Sequence, residues 1–246
     1  MSRPRLIPLL LLHRSGLWLT REFRPDTYLG DPTNAVRIFN DHGVDELMVI
    51  DIDASRERRP PDLAAVSRLA AEAFVPLTVG GGITHPEDAD ALFELGVEKV
   101  VVGAAAVEEP QLITEIADRA GAQAVVGVVT TLSPRGTASA ATVRAPTTWT
   151  RHIEMLESAG AGEIMVQSMD RDGCLCGGDL ATIRDAASLT TRPLIAAGGF
   201  RDTRDVAAAF ALGATAVAAS AMFVLIGRCN AVLIHVPTSG EVVGLS

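Results

Sequence analysis

The chain has 246 residues, 48% of them hydrophobic, and its 30 acidic and 21 basic side chains give a formal net charge of −9. That length suits one barrel-sized domain with a large core, and the acidic balance argues against a nucleic-acid ligand and against docking on an anionic membrane. Anionic small molecules stay open, because a few backbone amides can bind phosphate in an acidic protein.

The first apolar run, residues 6–12, contains Pro8 and is too short to span a bilayer. No small-residue cleavage site follows, so it does not read as a signal peptide. It reads as a buried parallel strand, apolar on both faces. Similar short runs follow at 46–52, 77–79, 99–102, 124–129, 163–167, 194–197 and 216–219, with helical patterns such as DLAAVSRLAAEA and EDADALFELG between them. Eight strands alternating with helices predict an α/β fold, either a closed parallel barrel or a doubly wound sheet. The three cysteines, Cys174, Cys176 and Cys229, are too few for a disulfide framework and point to a reducing cytoplasm. The C-x-C at 174–176 has no His or Cys cluster to complete a zinc site. No metal and no cofactor are expected.

An internal repeat favours the barrel. At an offset of 117 residues, PLTVGGGITHPEDADALFELGVEKVVVGAAAV from Pro76 lies on PLIAAGGFRDTRDVAAAFALGATAVAASAMFV from Pro193, with 12 of 32 positions identical and no gap. The same offset lays GVDELMVIDID from Gly43 on GAGEIMVQSMD from Gly160, and Glu46 on Glu163. One shared offset implies duplication of a four-strand half. The expectation is a single (β/α)8 TIM barrel over 1–246, built from half-barrels at about 1–120 and 121–246.

In such barrels function sits at the C-terminal strand ends. There, VGGGI places Gly81 and Gly82 after the third strand, and AAGGF places Gly198 and Gly199 after the seventh. Glycine lets the backbone approach an anion closely. The next loops, at Gly103 and Ala104 and at Ala219 and Ser220, each open a helical segment whose first amides favour negative charge. With Gly173 of the DRDG loop they form a candidate phosphate set, one site per half, suited to a ligand with a phosphate at each end. At the opposite end, Arg5, Glu46, Lys99 and Glu163 begin strands one, two, four and six. They form either a salt-bridged ring across the barrel bottom or four solvated charges. Asp51, Asp53, Asp170 and Asp172 lie at the top, either as ligand-binding or acid–base groups or as caps on the loop backbone. His13 and His42 have no partner visible in the sequence and read as ordinary polar residues.

Together the glycine pairs, the repeat, AGAGEIMVQSMDRDG and AVEEPQLITEIADRAGAQAVV resemble the cyclase subunit of imidazole glycerol phosphate synthase, through about Val224. The resemblance implies a glutaminase partner on the barrel bottom and ammonia passing up the barrel to a substrate with two phosphates. It implies a bottom gate at Arg5, Glu46, Lys99 and Glu163. That family's two catalytic aspartates fall on Leu11 and Thr130, and its lysine after strand one falls at about Thr20. Leu11 transfers no proton, and Thr130 is too weak an acid or base near pH 7. The segments GDPTNAVRIFNDHGVDELMVIDIDAS, GVEKV and SAMFVLIGRCNAVLIHVP also look like the cyclase-like subunits of surface-sugar and secondary-metabolite clusters. The expected role is therefore an ammonia-conducting barrel in a glutamine-dependent amidotransferase complex. Its partners would be a glutaminase, an ATP-dependent sugar amidotransferase and a phosphorylated small molecule, and its cyclase activity would be lost. The alternatives are a true cyclase of histidine biosynthesis, a lyase whose acid–base residues are Asp172, Asp51 or Thr130, and a non-enzymatic phosphate-binding scaffold.

Overall fold

The structure, a computed structural model, describes residues 4–132, 149–227 and 229–237. Ten strands form one sheet: β1 (Arg5–His13), β2 (Gly16–Arg21), β3 (Arg24–Gly30), β4 (Leu47–Asp51), β5 (Leu77–Gly80), β6 (Lys99–Val102), β7 (Val125–Thr131), β8 (Glu163–Ser168), β9 (Leu194–Ala197) and β10 (Ala216–Ala219). The sheet runs β10-β9-β8-β7-β6-β5-β4-β1, and β10 pairs back onto β1 in parallel, Arg5 opposite Ala216. Eight parallel strands thus close into a barrel, and the doubly wound alternative is excluded. The helices α1 (Pro32–Asp41), α2 (Ala54–Glu57), α3 (Leu63–Glu72), α4 (Pro86–Glu94), α5 (Ala104–Glu108), α6 (Gln111–Ala120), α7 (Trp149–Ser158), α8 (Leu180–Leu189), α9 (Thr203–Ala211) and α10 (Ala221–Val224) lie in the connections.

Strand residues alternate between two buried environments, which is why the runs are apolar throughout. Ile7, Leu9 and Leu11 of β1 join Met48, Val101, Val126, Met165 and Ile195 inside the barrel. Leu6, Leu10 and Leu12 face outward into the layer shared with the helices. Several helices start on an aspartate whose carboxylate takes a first-turn amide: Asp31 from Asn34, Asp62 from Ala65, Asp179 from Thr182, and Asp202 from Arg204 and Asp205. Phe39 of α1 and Phe223 of α10 meet edge to face at 6.3 Å, so the first and last helices cover the β1–β10 closure together.

The 117-residue offset recurs in three dimensions. A methyl on Gly81 would overlap the backbone carbonyl of Asp51, and one on Gly198 that of Ser168. Asp88 accepts the amide of Thr84 at 2.9 Å, and Asp205 that of Arg201 at 3.0 Å.

Three features depart from the sequence expectation. The fifth strand starts at Val125, and Ala124 sits in a short 3-10 turn. An antiparallel extension, β2 and β3, continues from the end of β1, with Leu11 opposite Trp18 and His13 opposite Gly16. Its turns are left-handed at both central residues: Arg14 and Ser15 at φ 48° and 62°, Glu22 and Phe23 at φ 50° and 63°. That geometry usually announces itself as Asn-Gly or Asp-Gly, and neither pair stands at either of these turns. After α10 the chain makes a small hairpin, β11 (Leu225–Ile226) with β12 (Ala231–Val232).

Candidate functional site

The barrel bottom carries the four charges. Arg5 donates to Glu46 at 2.7 Å and to Glu163 at 2.6 Å, while the Lys99 ammonium lies 3.0 Å from Glu46 and 2.9 Å from Glu163. The result is a closed ring of alternating sign. Arg5 on β1 and Glu163 on β8 are not on neighbouring strands, so their ion pair crosses the lumen and floors it. Thr78 of β5 donates to the second oxygen of Glu46 at 2.6 Å. Glu46 is 2% exposed, and burying a charge this deeply is tolerable only with partners on every side. Burial pushes the Glu163 carboxyl up, but the hydrogen bond from Arg5 and the charges of Lys99 and Arg5 outweigh it and hold it below the usual range.

At the opposite end, an open recess gathers Gly173, Gly198, Gly199, Ala219 and Ser220, with Leu9, Ala218 and Asp172 also lining it. Five members of the candidate phosphate set therefore meet. Gly173, Gly198 and Gly199 all have positive φ (68°, 93° and 91°). A methyl on Gly173 would overlap the Thr20 carbonyl, and one on Gly199 that of Gly177. Beside Gly199 runs Arg171, whose Nη1 donates to Gly177 O at 3.1 Å, while its buried Nε has no hydrogen-bond partner among the described residues. Gly81, Gly82, Gly103 and Ala104 do not line this recess. They occupy the equivalent place in the first half, where the Gly82 amide already donates to Ser55 at 3.1 Å.

The candidate acid–base residues divide sharply. Asp51 accepts the amides of Asp53 and Ala54 at 3.1 Å each and of Asp62 at 3.3 Å, and takes Arg59 at 2.7 and 3.2 Å. It is a loop clamp, the capping alternative for that residue, and its hydrogen bond holds the Arg59 guanidinium above its ordinary range. Asp172 is buried. It accepts from Thr20 Oγ1 at 2.5 Å and from the Phe23 amide at 3.2 Å, and so ties the β2–β3 hairpin to the recess. Burial raises its carboxyl above the usual range, against the pull of those two donors. Thr130 lies on β7 opposite Gln167, half-buried, and Leu11 belongs to the inner apolar cluster.

One pair was missed by reading the sequence. His13 Nδ1 lies 2.7 Å from Asp53 Oδ1, so His13 is not partnerless. The Arg14 amide donates to the other Asp53 oxygen at 2.9 Å. The two residues stand 40 apart, His13 at the end of β1 and Asp53 in the turn between β4 and α2, and no local spacing announces the contact.

The family model described as histidine biosynthesis protein matches residues 7–225. A protein of Pseudomonas aeruginosa, provisionally named an imidazole glycerol phosphate synthase subunit, is 42% identical over 96% of this chain and 97% of its own. One of Leptospira interrogans with the same provisional name is 40% identical over 96% of each. An imidazole glycerol phosphate synthase subunit of Micrococcus luteus is 39% identical over 79% of each chain. No described helix is long and apolar enough to cross a membrane.

Proposed function

This chain belongs to the histidine biosynthesis protein family, and from that premise we propose that it is the barrel subunit of a glutamine-dependent complex of the imidazole glycerol phosphate synthase type. A glutaminase docks on its lower face. Ammonia crosses the floor at Arg5, Glu46, Lys99 and Glu163, rises through the apolar interior, and meets a phosphorylated acceptor at the mouth. The observation that carries this reading is the closed four-membered ring across the lumen, in line with the recess at the other end. An interior lined by Ile7, Leu9, Met48, Val126 and Met165 suits neutral ammonia and rejects ammonium, because an unpaired charge is costly there. At the recess, the close backbone approach that Gly198 and Gly199 allow supports the binding of one phosphate, and Arg171 beside Gly199, whose buried Nε has no hydrogen-bond partner among the described residues, adds a neighbouring cation. The equivalent loops of the first half, Gly81, Gly82, Gly103 and Ala104, are assigned the second.

Two acceptor chemistries remain. The names of the relatives favour formation of an imidazole product, as in histidine biosynthesis. Leu11 and Thr130 at the two strand ends favour a barrel that only conducts, passing ammonia to an ATP-dependent sugar amidotransferase. Complementation of a histidine auxotroph lacking the cyclase separates them: growth supports the first and excludes the second. For the shared core of the proposal, mixing with the partner glutaminase should raise glutamine turnover. Unchanged turnover at saturating barrel sinks it.

A further inference from the structure

We infer that His13, oriented by Asp53, is the proton-transfer group at the barrel mouth; this rests on the reading that ammonia is consumed there. Leu11 points into the barrel. Trp18 is its direct antiparallel partner and therefore shares its face, as does His13 two residues further along β1. Thr20, two residues beyond Trp18, reaches Asp172 in the wall of the recess, which shows where this face looks. The His13 ring meets Trp18 edge to face at 5.2 Å, and Trp18 meets Tyr28 at 5.4 Å, so packing sets the imidazole plane.

Asp53 sets the tautomer. Its carboxylate can only accept, so Nδ1 of His13 carries the hydrogen between them and the lone pair of a neutral imidazole falls on Nε2. Burial pushes the Asp53 carboxyl up, but the Arg14 amide and His13 outweigh it and hold it below its usual range, with the charge of Arg59 adding to that pull. Among the described residues, the other candidate groups at these strand ends are occupied or inert. Asp51 is taken by Arg59, Asp172 by Thr20 and Phe23, and Asp170 accepts from Ser168, while Leu11 and Thr130 exchange no proton near neutrality.

The step that needs such a group is addition of ammonia to a carbonyl carbon of the phosphorylated acceptor. The nitrogen lone pair forms the C–N bond as the C=O π pair moves onto oxygen. Nε2 takes one proton from the positive nitrogen and returns it to the oxygen. The product is a neutral carbinolamine with no net proton gained or lost, and no co-reactant is required.

The test supplies ammonium chloride in place of the glutaminase, with the substrate of imidazole glycerol phosphate synthase as acceptor. His13→Gln should lower kcat about 100-fold with KM within about twofold. Asp53→Asn, which frees the imidazole to take the wrong tautomer, should lower kcat and displace the pH profile, an effect that a packing role would not produce. Both variants should still stimulate the glutaminase on mixing, which tests the proposed complex separately. Wild-type barrel that consumes no acceptor from ammonium chloride overturns the assignment, as does His13→Gln at wild-type kcat. Should His13→Gln also lose stimulation, Asp53→Asn decides, and an unmoved pH profile overturns the inference.

Discussion

A carboxylate with 2% of its surface in water, as at Glu46, is tolerated only because Arg5, Lys99 and Thr78 surround it. Removing one member therefore leaves a buried charge short of a partner. Lys99→Ala should cost about 3 kcal/mol in urea unfolding. It should also separate glutamine hydrolysis from amination, so that ammonia appears in the medium while the barrel stays folded. If hydrolysis and amination stay coupled one to one, the ring is scaffold and not gate. The ring also gives a pH signature. The Glu163 carboxyl is held below its usual value, so its contribution is present above the ordinary glutamate pKa of about 4.3 and is lost as pH falls through the depressed value. The Tm difference between wild type and Glu163→Gln should be large at neutral pH and shrink on acidification. Asp172 has the opposite sign. Its pKa is raised, so the folded state favours the protonated form, and the stability this form lends is lost as pH rises through the folded value. Asp172→Asn keeps an acceptor for Thr20 and Phe23, so it should raise Tm at neutral pH and lose that advantage below the usual aspartate range.

Among the elements, the recess depends on strand-to-helix turns whose glycines press against neighbouring backbone. Gly199→Ala puts a methyl into the Gly177 carbonyl at a φ of 91°, which forces the turn open. Inorganic phosphate should then bind at least about tenfold more weakly, a loss of about 1.4 kcal/mol, by calorimetry. The glycine pairs and their offset were readable from sequence because each need is local, a positive φ right after a strand. The β2–β3 hairpin was not. Its turns use Arg14-Ser15 and Glu22-Phe23, residues that enter the left-handed region reluctantly. What holds it in place is contact distant in sequence, Asp172 with Thr20 and Phe23.

Over the whole molecule, closure of the barrel is a contact between its two ends. Phe223→Ala removes a ring packed on Phe39 across the β1–β10 seam and should cost about 3–5 kcal/mol. On the lower face Phe74, in the loop between α3 and β5, is 86% exposed at the same end as the ring. Phe74→Asp should weaken glutaminase binding without moving Tm. The sequence by itself determined the eight strands, the internal repeat, the family and the placing of the four charges at the lower end, although Glu46 falls one residue before its strand, which starts at Leu47. Strand periodicity and glycine placement are short-range constraints, written where they act. The tertiary structure alone decided which charges touch, that Asp51 is spent on Arg59 and the loop amides, and that His13 meets Asp53. Those outcomes depend on which side chains a closed sheet brings within 3 Å, and no spacing along the chain encodes a distance across a lumen.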